Sequence, residues 1–261
     1  MKDMTFNKRR TPLTEPSHSK LALVEAQLSV ANQSLQASSL IDRATERVAE
    51  RILSDPKMCK KLLHPLSSHW NEQQIISTPH ENLWQRERLV CTGLLKKFKF
   101  AVDSEDVTYF ILLLKEINLA LTDNKYGDFR KTDVNTAPDA YGNRVFYPSA
   151  DNIISSIINI KNYCMGGGIG LRKAIISQAI LVNSHPFHDG NGRVGRILFN
   201  LTMQYSGASD NFYIPLKIFS NMATGGYELS LREAEIFGRW TPLISYFISM
   251  SSIIERILRQ N

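Results

Sequence analysis

The chain has 261 residues, of which 43% are hydrophobic and 21% charged, the proportions of a globular protein rather than a disordered one. Its longest apolar stretches, Phe110–Leu114 and the interrupted run Leu243–Ile254, are shorter than the about 18 residues a membrane span needs, so no transmembrane segment is expected. The 31 Lys and Arg against 25 Asp and Glu give a net charge of +6, which favours anionic partners, but no basic stripe with interleaved aromatics marks a nucleic-acid binder.

Residues 1–18 hold Pro12, Pro16 and few bulky apolar side chains, and read as a flexible leader whose Lys8, Arg9 and Arg10 form a solvated tail. The basic start has no apolar core behind it, so no secretory signal is expected. A helical region follows over 19–80. Leu21, Val24, Leu28 and Leu35 recur at helical spacing, then Leu40, Ile41, Val48 and Ile52, with a boundary at Asp55-Pro56. The main domain spans 81–261. Thr78-Pro79-His80-Glu81 has the chemistry of a helix start, for a helix reaching about Phe98. Asp103 is expected to open the next, with Phe110, Leu113, Leu114, Ile117 and Leu121 on its apolar face. Gly127, Pro138, Gly142 and Pro148 punctuate a stretch in which Asn143–Tyr147 has strand character, and this is the one expected β-hairpin. Helices are expected from Ser149 to Tyr163, from Leu171 to Ser184, from Arg193 to Tyr205 and from Thr241 to Leu258. The Leu171–Ser184 helix is apolar all round, hence buried. Between the first two of these, Met165–Gly170 is a glycine-rich loop without the pattern of a phosphate-binding loop. The fold class is mainly α, a helical bundle with one hairpin.

Cys59, Cys91 and Cys164 are odd in number and form no C-x-x-C pair, so neither a thiolate zinc site nor a disulfide framework is expected. The chemistry is concentrated in His185-Pro-Phe-His-Asp-Gly-Asn-Gly-Arg-Val-Gly-Arg196. Two glycines flank Asn191 directly before a helix, where unpaired N–H groups and a partial positive charge suit phosphates. Arg193 and Arg196, three apart, share a helical face beside that hole. Asp189 adds a hard oxygen ligand suited to one Mg²⁺ held mainly by phosphates and water. His185 supplies a titratable base. The set points to nucleotide chemistry.

This segment resembles the signature of the Fic family, H-x-F-x-[D/E]-G-N-G-R-x-x-R, at every specified position. The resemblance covers about residues 85–240 and includes a G-x-x-R element at Gly127-Asp128-Phe129-Arg130 and a β-hairpin flap over roughly Asp139–Tyr147. It implies transfer of AMP from ATP and Mg²⁺ to a Tyr, Thr or Ser hydroxyl of a target protein, with self-modification as a further outcome. His185 would be the catalytic base and Asp189 the Mg²⁺ ligand. Gly190, Asn191 and Gly192 would hold phosphates through backbone N–H groups and the Asn amide, and Arg193 and Arg196 would engage the β- and γ-phosphates. Phe187 would anchor the loop in the core, and His188 is read as an exposed neighbour. The flap, at Asn143, Arg144 and Val145, would pair with an extended target segment by strand addition. The resemblance also implies a bacterial cytoplasmic protein, with delivery as an effector left open, and its target and oligomeric state, homo-oligomer included, are not named by the sequence.

Many members carry an inhibitory helix, [S/T]-x-x-x-E-[G/N], whose glutamate pairs with the second motif arginine. No intact copy stands at either end. Ser38-Ser-Leu-Ile-Asp42-Arg43 comes nearest, with Asp for Glu and Arg for the small residue. Two readings stay open there: an ordinary helix start capped by a serine, or an inhibitory contact from Asp42 to Arg196. A separate antitoxin-like partner is the third source of such a helix. Alternatives for the activity are transfer of UMP, phosphocholine or phosphate, or a silent regulatory adaptor.

Overall fold

The computed structural model describes residues 10–16, 18–37, 41–63, 83–123, 125, 127–136, 144–223 and 225–260. Among them are ten α-helices and no strand. The buried apolar side chains form one cluster running from Leu13 to Leu258. No described helix is long and apolar enough to cross a membrane.

The N-terminal helices are α1 (His18–Ala37) and α2 (Ile41–Ser54), and both pack on α10 (Thr241–Arg259) from the far end of the chain. On α1 the stripe Leu21, Val24, Leu28, Ala31 and Leu35 is buried, as its 3-4 spacing requires. Asp55 ends α2, and Pro56 opens a short 3-10 turn that buries Met58, Cys59 and Leu62. Helix α3 (Leu83–Asp103) follows; the expected cap at Thr78 lies outside the described residues. Helix α4 (Val107–Leu121) is opened not by Asp103, which ends α3, but by Asp106. The Asp106 carboxylate accepts from the Thr108 N–H at 2.8 Å, which an aspartate three residues upstream could not do.

Helix α5 (Ile153–Met165) begins later than expected because Ala150–Asn152 is first wound as a 3-10 turn. The centre of the bundle is α6 (Gly170–Ser184), in which every residue except Val182 is buried, packed along α7 (Asn191–Tyr205). Gly195 permits that approach, since a Cβ there would sit 3.0 Å from the Val182 side chain. Two helices that the sequence reading did not anticipate, α8 (Leu216–Met222) and α9 (Gly226–Phe237), lie before α10. The first spans only two turns, and the second intersperses Glu228, Arg232, Glu233 and Glu235 among its apolar residues, so neither shows a clear period.

The hairpin is present only as its base among the described residues. Asn135 and Phe146 form an antiparallel bridge, with Thr136 N–H donating to the Val145 carbonyl at 3.0 Å and Tyr147 N–H to that of Val134 at 3.1 Å. Asn143 and the rest of 137–143 lie outside the described residues. The three cysteines are free and buried, and burial pushes each thiol up, Cys59 to about 12, as inert packing groups would behave.

Candidate active site

The loop His185–Gly190 joins the two central helices, and three devices hold it. Phe187 is fully buried and meets the Phe129 ring edge-on at 5.1 Å. The Asn191 amide closes the loop on itself: its Oδ1 accepts from the Phe187 N–H at 2.9 Å and its Nδ2 donates to the Phe187 carbonyl at 2.8 Å. That amide is therefore engaged inside the loop, with one donor and one acceptor position committed to Phe187. Asn118, buried on α4, donates to the Asp189 carbonyl at 2.8 Å. Gly190 stands at φ 86° directly over Asn118, a position for which a side chain has neither the backbone conformation nor the room.

Arg130, the arginine of the G-x-x-R element, joins the flap base to this loop. It is 2% exposed, and its guanidinium donates to the carbonyls of His185 (2.7 Å), Ser184 (3.1 Å), Thr132 (2.9 Å) and Pro148 (2.6 Å). Its own N–H donates to the Pro186 carbonyl. Gly127 starts the element because a Cβ there would overlap the Leu119 side chain.

His185 ends α6 in the left-handed region at φ 49°, a strained place for a residue with a Cβ, fixed by these bonds from both sides. Its ring lies stacked on Tyr147 at 3.8 Å. Burial pulls its pKa from 6.5 down to about 4; Val182 and Asp189 oppose this, and the positive charges of Arg130 and Arg10 reinforce it. The imidazole is thus neutral, and a proton acceptor, throughout the neutral range.

His185, Gly192 and Arg196 line one cavity of about 290 Å³, together with Tyr147, Lys217, Glu228 and Arg10 among others. The N-terminal N–H groups of α7 have no acceptor within the helix, so they supply partial positive charge beside it. Lys217 adds a cation whose pKa is lowered by burial first and by Arg196 second. Asp189, Gly190, Asn191 and Arg193 do not line this cavity. Arg193 instead donates to the Leu121 carbonyl at 2.6 Å and pairs with Asp189 at 2.8 Å, which clamps the loop to the end of α4. His188 is exposed, as expected.

The main residue the sequence reading missed is Glu87 on α3. It takes Arg196 as a fork, Nε to Oε2 at 3.0 Å and Nη2 to Oε1 at 2.5 Å, and also accepts from the Tyr213 hydroxyl at 3.2 Å. Burial works against the Arg196 charge, but Glu87 more than offsets it. The expected inhibitory contact can be placed only in part: Ser38 and the Asp42 side chain lie outside the described residues, and the carboxylate found on Arg196 is that of Glu87. Arg144 is exposed and donates to Asn135 across the hairpin at 2.9 Å, while Val145 is half-buried.

A metal would find a single hard donor here. Asp189 is 60% exposed, with Oδ2 on Arg193 and Oδ1 accepting from the Gly190 N–H at 2.6 Å, and no group of three His, Cys, Asp or Glu that could hold an ion exists among the described residues. That donor set does not suit a protein-caged ion, but fits Mg²⁺ brought in with phosphates.

Residues 111–203 match the model of the Fic/DOC family. In structure the chain is similar to a Fic family protein from Desulfovibrio desulfuricans G20, at 15% identity and TM-score 0.57, over 95% of this chain and 76% of that one. It is similar also to a Fic domain containing signaling protein from Bacteroides thetaiotaomicron VPI-5482, at 15% identity and TM-score 0.55, over 89% of this chain and 93% of that one. At this identity the likeness speaks for the helical fold. A search of curated proteins finds no match in sequence.

Proposed function

We propose, from the match of residues 111–203 to the Fic/DOC family, that the chain is a protein adenylyltransferase, moving AMP from ATP to a Tyr, Thr or Ser hydroxyl of a target protein. Fic proteins are as a class transferases, and one observation carries the finer reading: a neutral imidazole opens onto the same cavity as Arg196 and the start of α7. An anionic chain of phosphates fits the arginine and helix end, and a hydroxyl fits the imidazole.

In this reading His185 accepts the hydroxyl proton as the oxygen attacks the α-phosphorus. A new P–O bond forms to the target while the bond to the bridging oxygen breaks, and pyrophosphate leaves with the electron pair. Arg196 and the α7 N–H groups stabilise the charge that develops on the phosphates. Arg130 and Asn191 fix the loop, so the imidazole is held in place before substrate arrives. Mg²⁺, when bound at Asp189, would neutralise phosphate charge.

The test is incubation with Mg²⁺ and ATP labelled at the α- or the γ-phosphate. Wild type should incorporate the α-label into protein, and His185→Ala should lower the rate by about 10²- to 10⁴-fold, the usual worth of a positioned base. Incorporation of the γ-label alone would replace this reading with phosphate transfer. Absence of both labels would favour the adaptor.

The depressed pKa of His185 carries its own prediction. Below about pH 4 the imidazole is protonated and cannot act as a base; above it the base is intact. The acid limb of kcat/KM should therefore fall near pH 4 rather than at the ordinary 6.5. A limb at 6.5 in the initial-rate profile would show that the ring titrates as if in water.

A further inference from the structure

The outer edge of the flap is occupied by the chain itself. In the Asn135–Phe146 bridge the paired bonds are made by the neighbours on either side, so the Phe146 carbonyl faces away from the hairpin. It accepts from the Arg10 N–H at 2.8 Å, a single backbone bond by which the N-terminal segment caps that edge. The Arg10 side chain, 8% exposed, crosses the Tyr147 ring at 4.8 Å and pairs with the fully buried carboxylate of Glu235 at 2.9 Å. Three residues on, the Leu13 N–H donates to the Asn183 Oδ1 at 2.9 Å, and the Leu13 side chain is buried. Arg10 is thus not the solvated residue the sequence reading expected.

This placement bears on access. Arg10 lines the cavity of His185 and Arg196, and it lies on the ring that itself lies on His185. With Arg10 in place the cavity of about 290 Å³ is at the lower limit of ligand pockets, roughly 300 Å³. An extended polypeptide that presents a hydroxyl to His185 would gain backbone pairing from the same edge that Arg10 now fills. The side-chain pockets beside that edge are chemically specific: a buried carboxylate at Glu235 takes a guanidinium, and an apolar recess takes a leucine.

We propose that residues 10–13 are a built-in pseudosubstrate, and that the target is an extended segment with an arginine in register with Phe146 and an apolar residue three positions later. The proposal rests on reading the site as one that modifies a protein hydroxyl. A target must displace the strap, whose attachment to the same chain gives it an effective concentration of order millimolar. A target segment with two matched side chains therefore competes, and one without them does not.

The experiment uses the full chain and no nucleotide, so it stands apart from the transfer reaction. A fluorescein-labelled peptide with the sequence of residues 8–16 is titrated into wild type and into the Arg10→Ala/Leu13→Ala double variant, read by anisotropy. The peptide should bind the variant at least ten-fold more tightly than wild type, and a peptide with alanine in place of its Arg10 equivalent should lose that gain. Equal binding to both proteins, or binding indifferent to the peptide's arginine, would overturn the proposal. If the double variant does not melt cooperatively, Arg10→Ala alone, which leaves Leu13 in the core, should show the same direction, and no gain there overturns it equally. Should the peptide bind as expected while no label is transferred from ATP, the strap stands and the adenylyltransferase reading falls.

Discussion

Replacing Glu87 by alanine should lower the stability of the nucleotide-free protein by about 3 kcal/mol, and ATP should then restore more of it than ATP adds to wild type. Glu87 is 2% exposed and Arg196 15% by side chain, so the pair is close to fully buried. Breaking a buried pair from one side leaves a charge without a partner, which costs about 3–5 kcal/mol. The lower end applies because Arg196 faces a cavity that water can enter, while the Tyr213 hydroxyl loses its acceptor as well. For a chain of this size that is a fall in Tm of roughly 6–12 °C. In wild type Glu87 holds Nε and Nη2 of Arg196, so a phosphate must share the guanidinium with a carboxylate. In the variant the phosphates no longer share the guanidinium with Glu87, and ligand that binds the folded state more tightly raises Tm further, by RT ln(1 + [L]/Kd). Melting curves with and without ATP measure both halves. An unchanged Tm would mean the pair contributes nothing, and equal ATP shifts in the two proteins would mean Glu87 does not compete with phosphate.

Glu87 also shows what the sequence did and did not reveal. The signature from His185 to Arg196 is local, so its loop and helix could be read directly, down to the buried Phe187. The partner of Arg196 comes from a helix 109 positions away, and no spacing rule reaches that far. One signal was nonetheless present. Trp84, Glu87, Cys91, Leu94 and Phe98 recur at three and four and are all buried, so a carboxylate stands in the apolar stripe of α3. A charge there requires a buried partner. At Ser38–Arg43, by contrast, the family's inhibitory pattern is met only in part, and an ordinary helix start stands open beside it. That pattern is met in full at Ser77, Glu81 and Asn82, which the reading of the two ends passed over and which lie outside the described residues. Asn191 has a structural role that the motif did not reveal: its amide meets both backbone groups of Phe187 and so closes the tight loop. Arg10 illustrates a different limit. A short basic segment with prolines has the composition of a free tail, and only tertiary contacts with Phe146, Asn183 and Glu235 hold it.

Arg130→Met should have the second large effect, a loss on the order of 4 kcal/mol together with a fall in transfer rate beyond what unfolding explains. The apolar chain fills the space but leaves the carbonyls of Thr132, Pro148, Ser184 and His185 without the guanidinium that now serves them. Each buried acceptor left unpaired costs about 1–3 kcal/mol, and water entering from the flap side returns part of it. The rate effect follows from geometry. His185 sits at φ 49°, and the Arg130 bond to its carbonyl is one of the restraints that keep the ring stacked on Tyr147 and facing the cavity. Released, the residue relaxes toward ordinary backbone angles and the imidazole leaves its line to the incoming hydroxyl. Arg130→Lys separates the two roles. A lysine keeps the charge and recovers one or two of the carbonyls, so stability should return in part, but a single ammonium cannot span from Pro148 to His185, so the rate should stay low. Chemical denaturation gives the first quantity, and α-label incorporation at a temperature where every variant is folded gives the second. If Arg130→Lys regained full rate, the guanidinium would be a source of charge near His185 and not the brace that holds the flap to the His185–Gly190 loop.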